Sequence, residues 1–338
     1  MTSTTPQWRV ARVDRTQVLL LDCGATRVER AVPLKPGGLL ERTVGEPTVP
    51  AVGDAVVLAD ERALLLPRRS ELVRDTADRT SHTQVMAANL DLALIVEHLD
   101  PAPSLGRIER FVTLAWDSGA TPAVVLTKAD LHRDPSAVVA EVQRVAPAVE
   151  VRSVSAVTGE GLDDVRALLA DDLTLVLVGP SGAGKSTLVN ALAGAEVMAT
   201  GERRSDGKGR HTTTHRRLLP LPLAGGTAWV IDTPGVRAVG LVAREDALER
   251  GFPDVVALTQ ECRFRDCQHD GEPGCAIEAA VADGTLDADR LASWRSHERE
   301  AARQRARMSG RLAQEIKAQG RQHARRVRDL KRVGKFRR

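Results

Sequence analysis

The octapeptide Gly179-Pro180-Ser181-Gly182-Ala183-Gly184-Lys185-Ser186, set directly after the apolar run Leu173–Val178, constrains this chain more than any other feature. It satisfies the phosphate-loop pattern in full and is followed by the helix-like segment Ser186–Ala193, giving the strand–loop–helix context such a loop needs. Its glycines let backbone N–H groups wrap around phosphate oxygens, and the helix N-terminus adds favourable partial positive charge. Lys185 is expected to reach the β- and γ-phosphates and Ser186 to ligate Mg²⁺, with Thr187 completing the contact set. An ordinary glycine-rich turn is the competing reading, and it explains neither the flanking strand nor the helix.

A phosphate loop does not choose between adenine and guanine. Two further segments do. Thr127-Lys128-Ala129-Asp130 follows the strand-like Ala123–Leu126, and a carboxylate at Asp130 can accept two hydrogen bonds from the N1 and N2 edge of guanine, which adenine cannot offer. Lys128 would lie along the base. A second loop, Ser153-Val154-Ser155-Ala156, places the Ala156 N–H where guanine O6 would sit, with Ser155 beside it. Either motif alone arises easily by chance; together, at strand ends, they indicate a guanine site. Asp232-Thr233-Pro234-Gly235 ends the strand-like Thr227–Ile231, so Asp232 is suited to hold Mg²⁺ through water and the Gly235 N–H to sense a γ-phosphate. Between the two lies Gly207–Thr214, a polar segment suited to a switch, with Thr213 expected on Mg²⁺.

Around these motifs, residues 78–237 alternate compact apolar runs with helix-like stretches, the pattern of a mostly parallel sheet covered by helices on both faces. Residues 1–75 show short β-like runs (Trp8–Val13, Val18–Leu21, Asp54–Leu58) separated by Gly/Pro turns, which suggests a small β-barrel of OB or SH3-like type. Thr43–Gly53, with two prolines and two glycines, reads as an exposed loop. Residues 239–338 read as helical apart from a Cys/His cluster. The expected fold class is therefore multidomain: barrel, central α/β P-loop domain, helical C-terminal domain. No apolar run follows Met1 and none is long enough to span a membrane, so a cytoplasmic protein is expected.

Cys262-x4-Cys267-x-His269-x5-Cys275 offers three thiolates and one imidazole within fourteen positions, a full tetrahedral set for structural Zn²⁺. The alternatives are unconnected thiols or a redox switch. Further on, Trp294–Arg338 carries 16 Lys/Arg against 4 Asp/Glu, a net of +12 in a chain whose total is +3, leaving −9 elsewhere. An RNA phosphate backbone is the natural partner for such a segment. With only 2% aromatic residues and no Tyr, contact with nucleic acid must lean on charge more than on stacking.

Taken together, the motifs resemble those of translation-factor-class GTPases in a permuted order: the base-recognition loops come first, then the phosphate loop, then Thr212–Thr214 and Asp232–Gly235. Permutation moves only the termini, so the site can still assemble. This order closely resembles the bacterial small-ribosomal-subunit-dependent GTPase family, RsgA (YjeQ), as do Gln84 with Ala87–Asp91, Gly209–Thr214 and the four-ligand cluster. The resemblance implies an OB-fold, a permuted GTPase domain and a zinc-containing helical domain. It also implies GTP hydrolysis stimulated by the 30S subunit during its late maturation, with 16S rRNA as a partner; a monomer is expected. Two positions depart from common GTPase patterns. Thr127 stands where Asn is usual, and Val236 stands where many GTPases place a Gln that orients the attacking water, a task valine cannot perform. The resemblance points to His211 in the switch segment as the substitute. Large-subunit action, a non-catalytic RNA-binding protein and an ATP-dependent kinase are the competing readings.

Overall fold

A computed structural model describes residues 8–24, 27–59, 62–74, 84–200, 216–232, 245–303 and 306. The centre of the molecule is a six-stranded sheet in the order β11-β10-β9-β12-β14-β13. Its strands are β9 (Leu92–His98), β10 (Thr121–Thr127), β11 (Glu150–Ser153), β12 (Thr174–Val178), β13 (Arg217–Leu223) and β14 (Gly226–Asp232). All neighbours are parallel except β13, which pairs antiparallel with β14. β9 and β12 are almost continuously apolar because both of their faces are covered. Alternate side chains divide cleanly between two cores. Ala93, Ile95, Val124, Leu126, Val176, Val178, Trp229 and Ile231 enter one core with helix α1 (Leu105–Ser118). Leu92, Leu94, Val96, Ala123, Val125, Leu175, Leu177, Ala228 and Val230 enter the other, with α3 (Leu162–Arg166) and α4 (Lys185–Ala193). The expected mostly parallel sheet with helices on both faces is what forms. β13 was not among the expected strands. Its Pro220 and Pro222 cannot donate to a ladder, and they are tolerated because this strand lies at the sheet edge.

Ahead of this sheet, strands β1 (Trp8–Val13), β2 (Gln17–Asp22), β3 (Glu29–Pro33), β4 (Glu41–Arg42), β5 (Ala55–Ala59) and β6 (Arg62–Leu65) form a second sheet in the order β3-β2-β1-β5-β6-β4. Its two outermost strands, β3 and β4, are consecutive in the chain and joined through the Lys35–Leu39 bridge. A flat sheet of this order would hold them about 24 Å apart, so the sheet must curl back on itself. A two-stranded pair, β7 (Glu71–Arg74) with β8 (Gln84–Ala88), leads from this unit into β9. The segment Thr43–Gly53 is exposed only in its first part; Pro50–Gly53 are buried. The reason is a close backbone approach: the Ala88 N–H bonds Val52 O at 2.9 Å, and a Cβ on Gly53 would lie 2.2 Å from Ala88 O. Arg9, 4% exposed, ties the two units, donating to Thr174 Oγ1 at 2.6 Å and to Asp172 at 2.8 Å, while Trp229 Nε1 donates to the same carboxylate.

The C-terminal unit is helical, as expected: α5 (Glu245–Gly251), α6 (Pro253–Thr259), α7 (Ala276–Ala282) and α8 over 288–303. Its small core comprises Phe252, Val255, Cys275, Ile277, Ala280, Leu286, Leu291 and Trp294. Arg290 joins it to the central sheet unit. The buried guanidinium bonds Glu109 of α1 at 2.8 Å, Asp254 of α6 at 2.8 and 3.0 Å, and the Val145 and Gly251 carbonyls, and it lies 4.2 Å from the Phe252 ring centre.

Candidate nucleotide-binding edge and metal cluster

The expected base and phosphate motifs converge at the C-terminal ends of β9, β10, β11, β12 and β14, where parallel α/β sheets bind ligands. The phosphate loop leaves β12 with Gly179 at φ +145°; a Cβ there would sit 2.0 Å from Val96 O, so no larger residue fits. The loop then delivers Gly184, also left-handed, into the first turn of α4. Lys185 Nζ folds back onto the loop, donating to Gly179 O at 2.9 Å and Pro180 O at 2.7 Å. Ser186 follows on the first turn, with Thr187 exposed beside it. These carbonyl bonds are ones the ammonium can exchange for phosphate oxygens.

Thr127, the unusual opening residue of the guanine motif, is buried, and its hydroxyl donates to Ala183 O of the phosphate loop at 2.7 Å, with Glu97 O a second acceptor at 3.1 Å. The hydroxyl thus fastens the two loops together. Lys128 takes a left-handed conformation, φ +62°, turning the chain into a single 3₁₀ turn over Ala129–Leu131. Ser155, fully buried, donates from Oγ to Asp130 Oδ1 at 2.6 Å and accepts from the Val157 and Thr158 N–H groups. The sequence placed Ser155 beside the base; the structure gives it the further task of orienting the Asp130 carboxylate. Ala156 follows, half-buried, in the same loop.

Asp232 ends β14 facing this edge. Burial raises its carboxyl above the usual carboxylate range, and the Lys185 ammonium pulls in the opposite direction. Such a carboxylate gains from a cation placed beside it. Ser186 and Asp232 are the described members of the expected Mg²⁺ set. His211, Thr213, Gly235 and Val236 lie outside the described residues. Asn190 on α4 grips the chain heading toward that switch segment, accepting from the Val197 and Met198 N–H groups and donating to Met198 O.

The second cluster is held by α6, α7 and the loop between them. The ligand atoms of Cys262, Cys267, His269 and Cys275 all lie within 4.8 Å of one another. His269 Nδ1 is 3.4 Å from Cys262 Sγ and 3.7 Å from Cys275 Sγ. A tetrahedral ion with bonds of about 2.0–2.3 Å separates its ligands by about 3.3–3.8 Å, so these distances and this donor set are compatible with zinc. The Ala276 N–H donates to Cys262 Sγ at 3.4 Å, and Arg295 bonds the His269 carbonyl, which fixes the imidazole-bearing turn from α8.

Two residues of consequence were not singled out from the sequence. Glu97 is fully buried at the end of β9 and paired with Arg107; Arg290 is the buried hub described above. Neither has a local pattern that would reveal it, since a lone charged residue in a strand or helix usually faces solvent.

The model of the family described as "RsgA GTPase" matches residues 65–242. The chain belongs to that family. The protein named "Small ribosomal subunit biogenesis GTPase RsgA" in Streptomyces avermitilis is 46% identical over 324 residues, covering 91% of this chain and 83% of that protein. "Small ribosomal subunit biogenesis GTPase RsgA 1" of Listeria innocua is 44% identical over 273 residues, covering 80% of this chain and 77% of its own length. Among solved structures, YjeQ from Thermotoga maritima aligns with a TM-score of 0.61 at 24% identity, covering 87% of this chain and 98% of that one. YloQ, "a circularly permuted GTPase", aligns at 0.56 and 23%, covering 90% and 96%. As an RsgA-family member this chain is a GTP-hydrolysing enzyme, and its fold is that of the permuted GTPases.

Proposed function

We propose that this GTPase acts in late maturation of the 30S ribosomal subunit, binding 16S rRNA and being stimulated by the subunit. The observation that carries the reading is the convergence of Asp130, Ser155 and the Gly179–Ser186 loop at one sheet edge, tied by the Thr127 hydroxyl to Ala183 O. Relatives named for small-subunit biogenesis support the partner. GTP is held by Thr127, Lys128, Asp130, Ser155, Ala156, the phosphate loop through Thr187, and Gly235. Ser186, Thr213 and Asp232 would hold Mg²⁺, which would supply charge neutralisation at the phosphates. Val236 leaves the attacking water without an orienting amide, so intrinsic turnover is slow, and His211 supplies that contact on the subunit.

The domains run 1–75, 78–237 and 239–338. The first is an OB-type barrel, a reading supported by the curled sheet in which β1 pairs with both β2 and β5. The last binds one structural Zn²⁺ through Cys262, Cys267, His269 and Cys275, supported by their spacing. Its basic end, mostly outside the described residues, contacts rRNA phosphates. Gain or loss of the γ-phosphate moves this unit through the segment that joins it to Asp232. The protein works as a cytoplasmic monomer; no helix among the described residues is long and apolar enough to cross a membrane.

The deciding experiment is steady-state GTP hydrolysis with and without small subunits, large subunits serving as control. Strong stimulation by small subunits alone is expected. Stimulation by large subunits only, or by neither, overturns the assigned role. His211→Ala should lower stimulated turnover and spare nucleotide affinity.

A further inference from the structure

Resting on the guanine-site reading of Asp130, we infer that Glu97 and Arg107 form a clamp that positions the guanine loop and, through Thr127, the phosphate loop. Glu97 is the next-to-last residue of β9, with its side chain 0% exposed. A buried carboxylate requires a partner, and Arg107 on the first turns of α1 supplies both hydrogen bonds: Nε to Oε1 at 2.5 Å and Nη2 to Oε2 at 2.8 Å. A bidentate pair of this kind fixes direction as well as distance, so the chain between β9 and α1 is held at two points.

The backbone of that short segment grips the nucleotide motifs. Glu97 O lies 3.1 Å from the Thr127 hydroxyl, and the Leu99 N–H donates to Thr127 O at 3.0 Å, so the first residue of the guanine motif is held on both sides. The residue before Glu97 presents the carbonyl against which Gly179 packs. Thr127 in turn bonds Ala183 O in the phosphate loop. The Glu97 side chain is thus taken up by Arg107, while the backbone from Val96 to Leu99 contacts both loops. A threonine hydroxyl has one proton, which goes to the nearer Ala183 O, so the hold of this segment on Thr127 rests chiefly on the Leu99 N–H.

The test is nucleotide affinity and turnover of the full-length protein without ribosomal subunits, using a fluorescent GDP displaced by GTP or by ATP. Arg107→Ala leaves a carboxylate buried without a partner and is expected to reduce folding, so the neutral double variant Glu97→Gln/Arg107→Met is read beside it. Both are expected to raise the KM for GTP about tenfold and to cut GTP-over-ATP preference by a similar factor, with kcat changed less than about twofold, since sub-ångström misplacement weakens oriented contacts. Arg107→Lys should recover part of the preference, lacking the planar fork. Unchanged preference and KM in the double variant and in Arg107→Lys, or a loss confined to kcat and melting temperature, overturns the clamp. Asp130→Asn, run in parallel, separates the two levels. If it abolishes the preference while the clamp variants do not, only the clamp fails; if it preserves the preference, the guanine-site reading fails and the clamp with it.

Discussion

The central sheet unit and the C-terminal helical unit hold themselves together by different means. The sheet divides its side chains between two extensive apolar cores, and its nucleotide edge is built from backbone geometry at glycines and strand ends. Among the described residues the helical unit has eight buried apolar residues in its core, one of which, Cys275, belongs to the Cys/His cluster. It compensates with a four-ligand cluster and with Arg290, whose bonds reach α1 and the carbonyl end of α2 (Ser136–Val145). A small unit with little apolar material needs such staples; the larger one does not. The sheet unit should therefore tolerate loss of charges on its loop edge such as Lys185 without unfolding, whereas the helical unit should not tolerate loss of its cluster.

The sharpest way to break this contrast is Lys185→Ala. Removing the ammonium proposed to meet the phosphates is expected to lower GTP turnover by about 10²–10³-fold, with the melting temperature unchanged within error. A large fall in melting temperature would mean that the nucleotide edge is itself structural. Metal removal probes the other side. Chelation, or Cys275→Ser, should abolish hydrogen-exchange protection over residues 253–303, while GTP affinity measured by fluorescence stays within about threefold. Protected helices after chelation would show that the apolar core alone suffices.

Arg290→Ala tests the joint between the units. Glu109 is left buried without its partner, and loss of one member of such a pair costs about 3–5 kcal/mol, read as a lowered denaturant midpoint. Arg290→Met with Glu109→Gln should recover much of this. The smallest effect concerns the exposed pair Arg144–Asp287, 2.6 Å apart between α2 and the start of α8. The hydrogen bond from Arg144, then that from the Asp289 N–H, holds the Asp287 carboxyl below its ordinary range. The stabilisation is thus present at neutral pH, above the unfolded carboxylate value near 4, and is lost as pH falls through the lowered folded value. Asp287→Asn should lower the melting temperature slightly at pH 7 and progressively less as the pH falls below about 4; a loss that does not shrink with falling pH would remove the ion pair from the account.

Much of the site was legible before any coordinates. The phosphate loop, Thr127–Asp130, Ser155–Ala156 and the Cys/His quartet are short patterns in which chemistry dictates residue type at fixed spacing, so they survive permutation of the chain. Compact apolar runs likewise marked β9, β10, β12 and β14, because a strand buried on both faces must be largely apolar, while the edge strand β11 was marked by Val149, Val151 and Val154. What the sequence could not disclose depends on partners distant along the chain. Pro50–Gly53 are buried because Ala88 lies against them, and Pro220 and Pro222 are admitted because β13 found the edge. Glu97 and Arg290 became buried anchors only when α1, α6 and α8 assembled around them. Local pattern determines which atoms can bind phosphate, guanine or a metal ion. Tertiary structure decided which charges are desolvated and what holds the loops in place, since burial and pairing are properties of the folded neighbourhood and of no single segment.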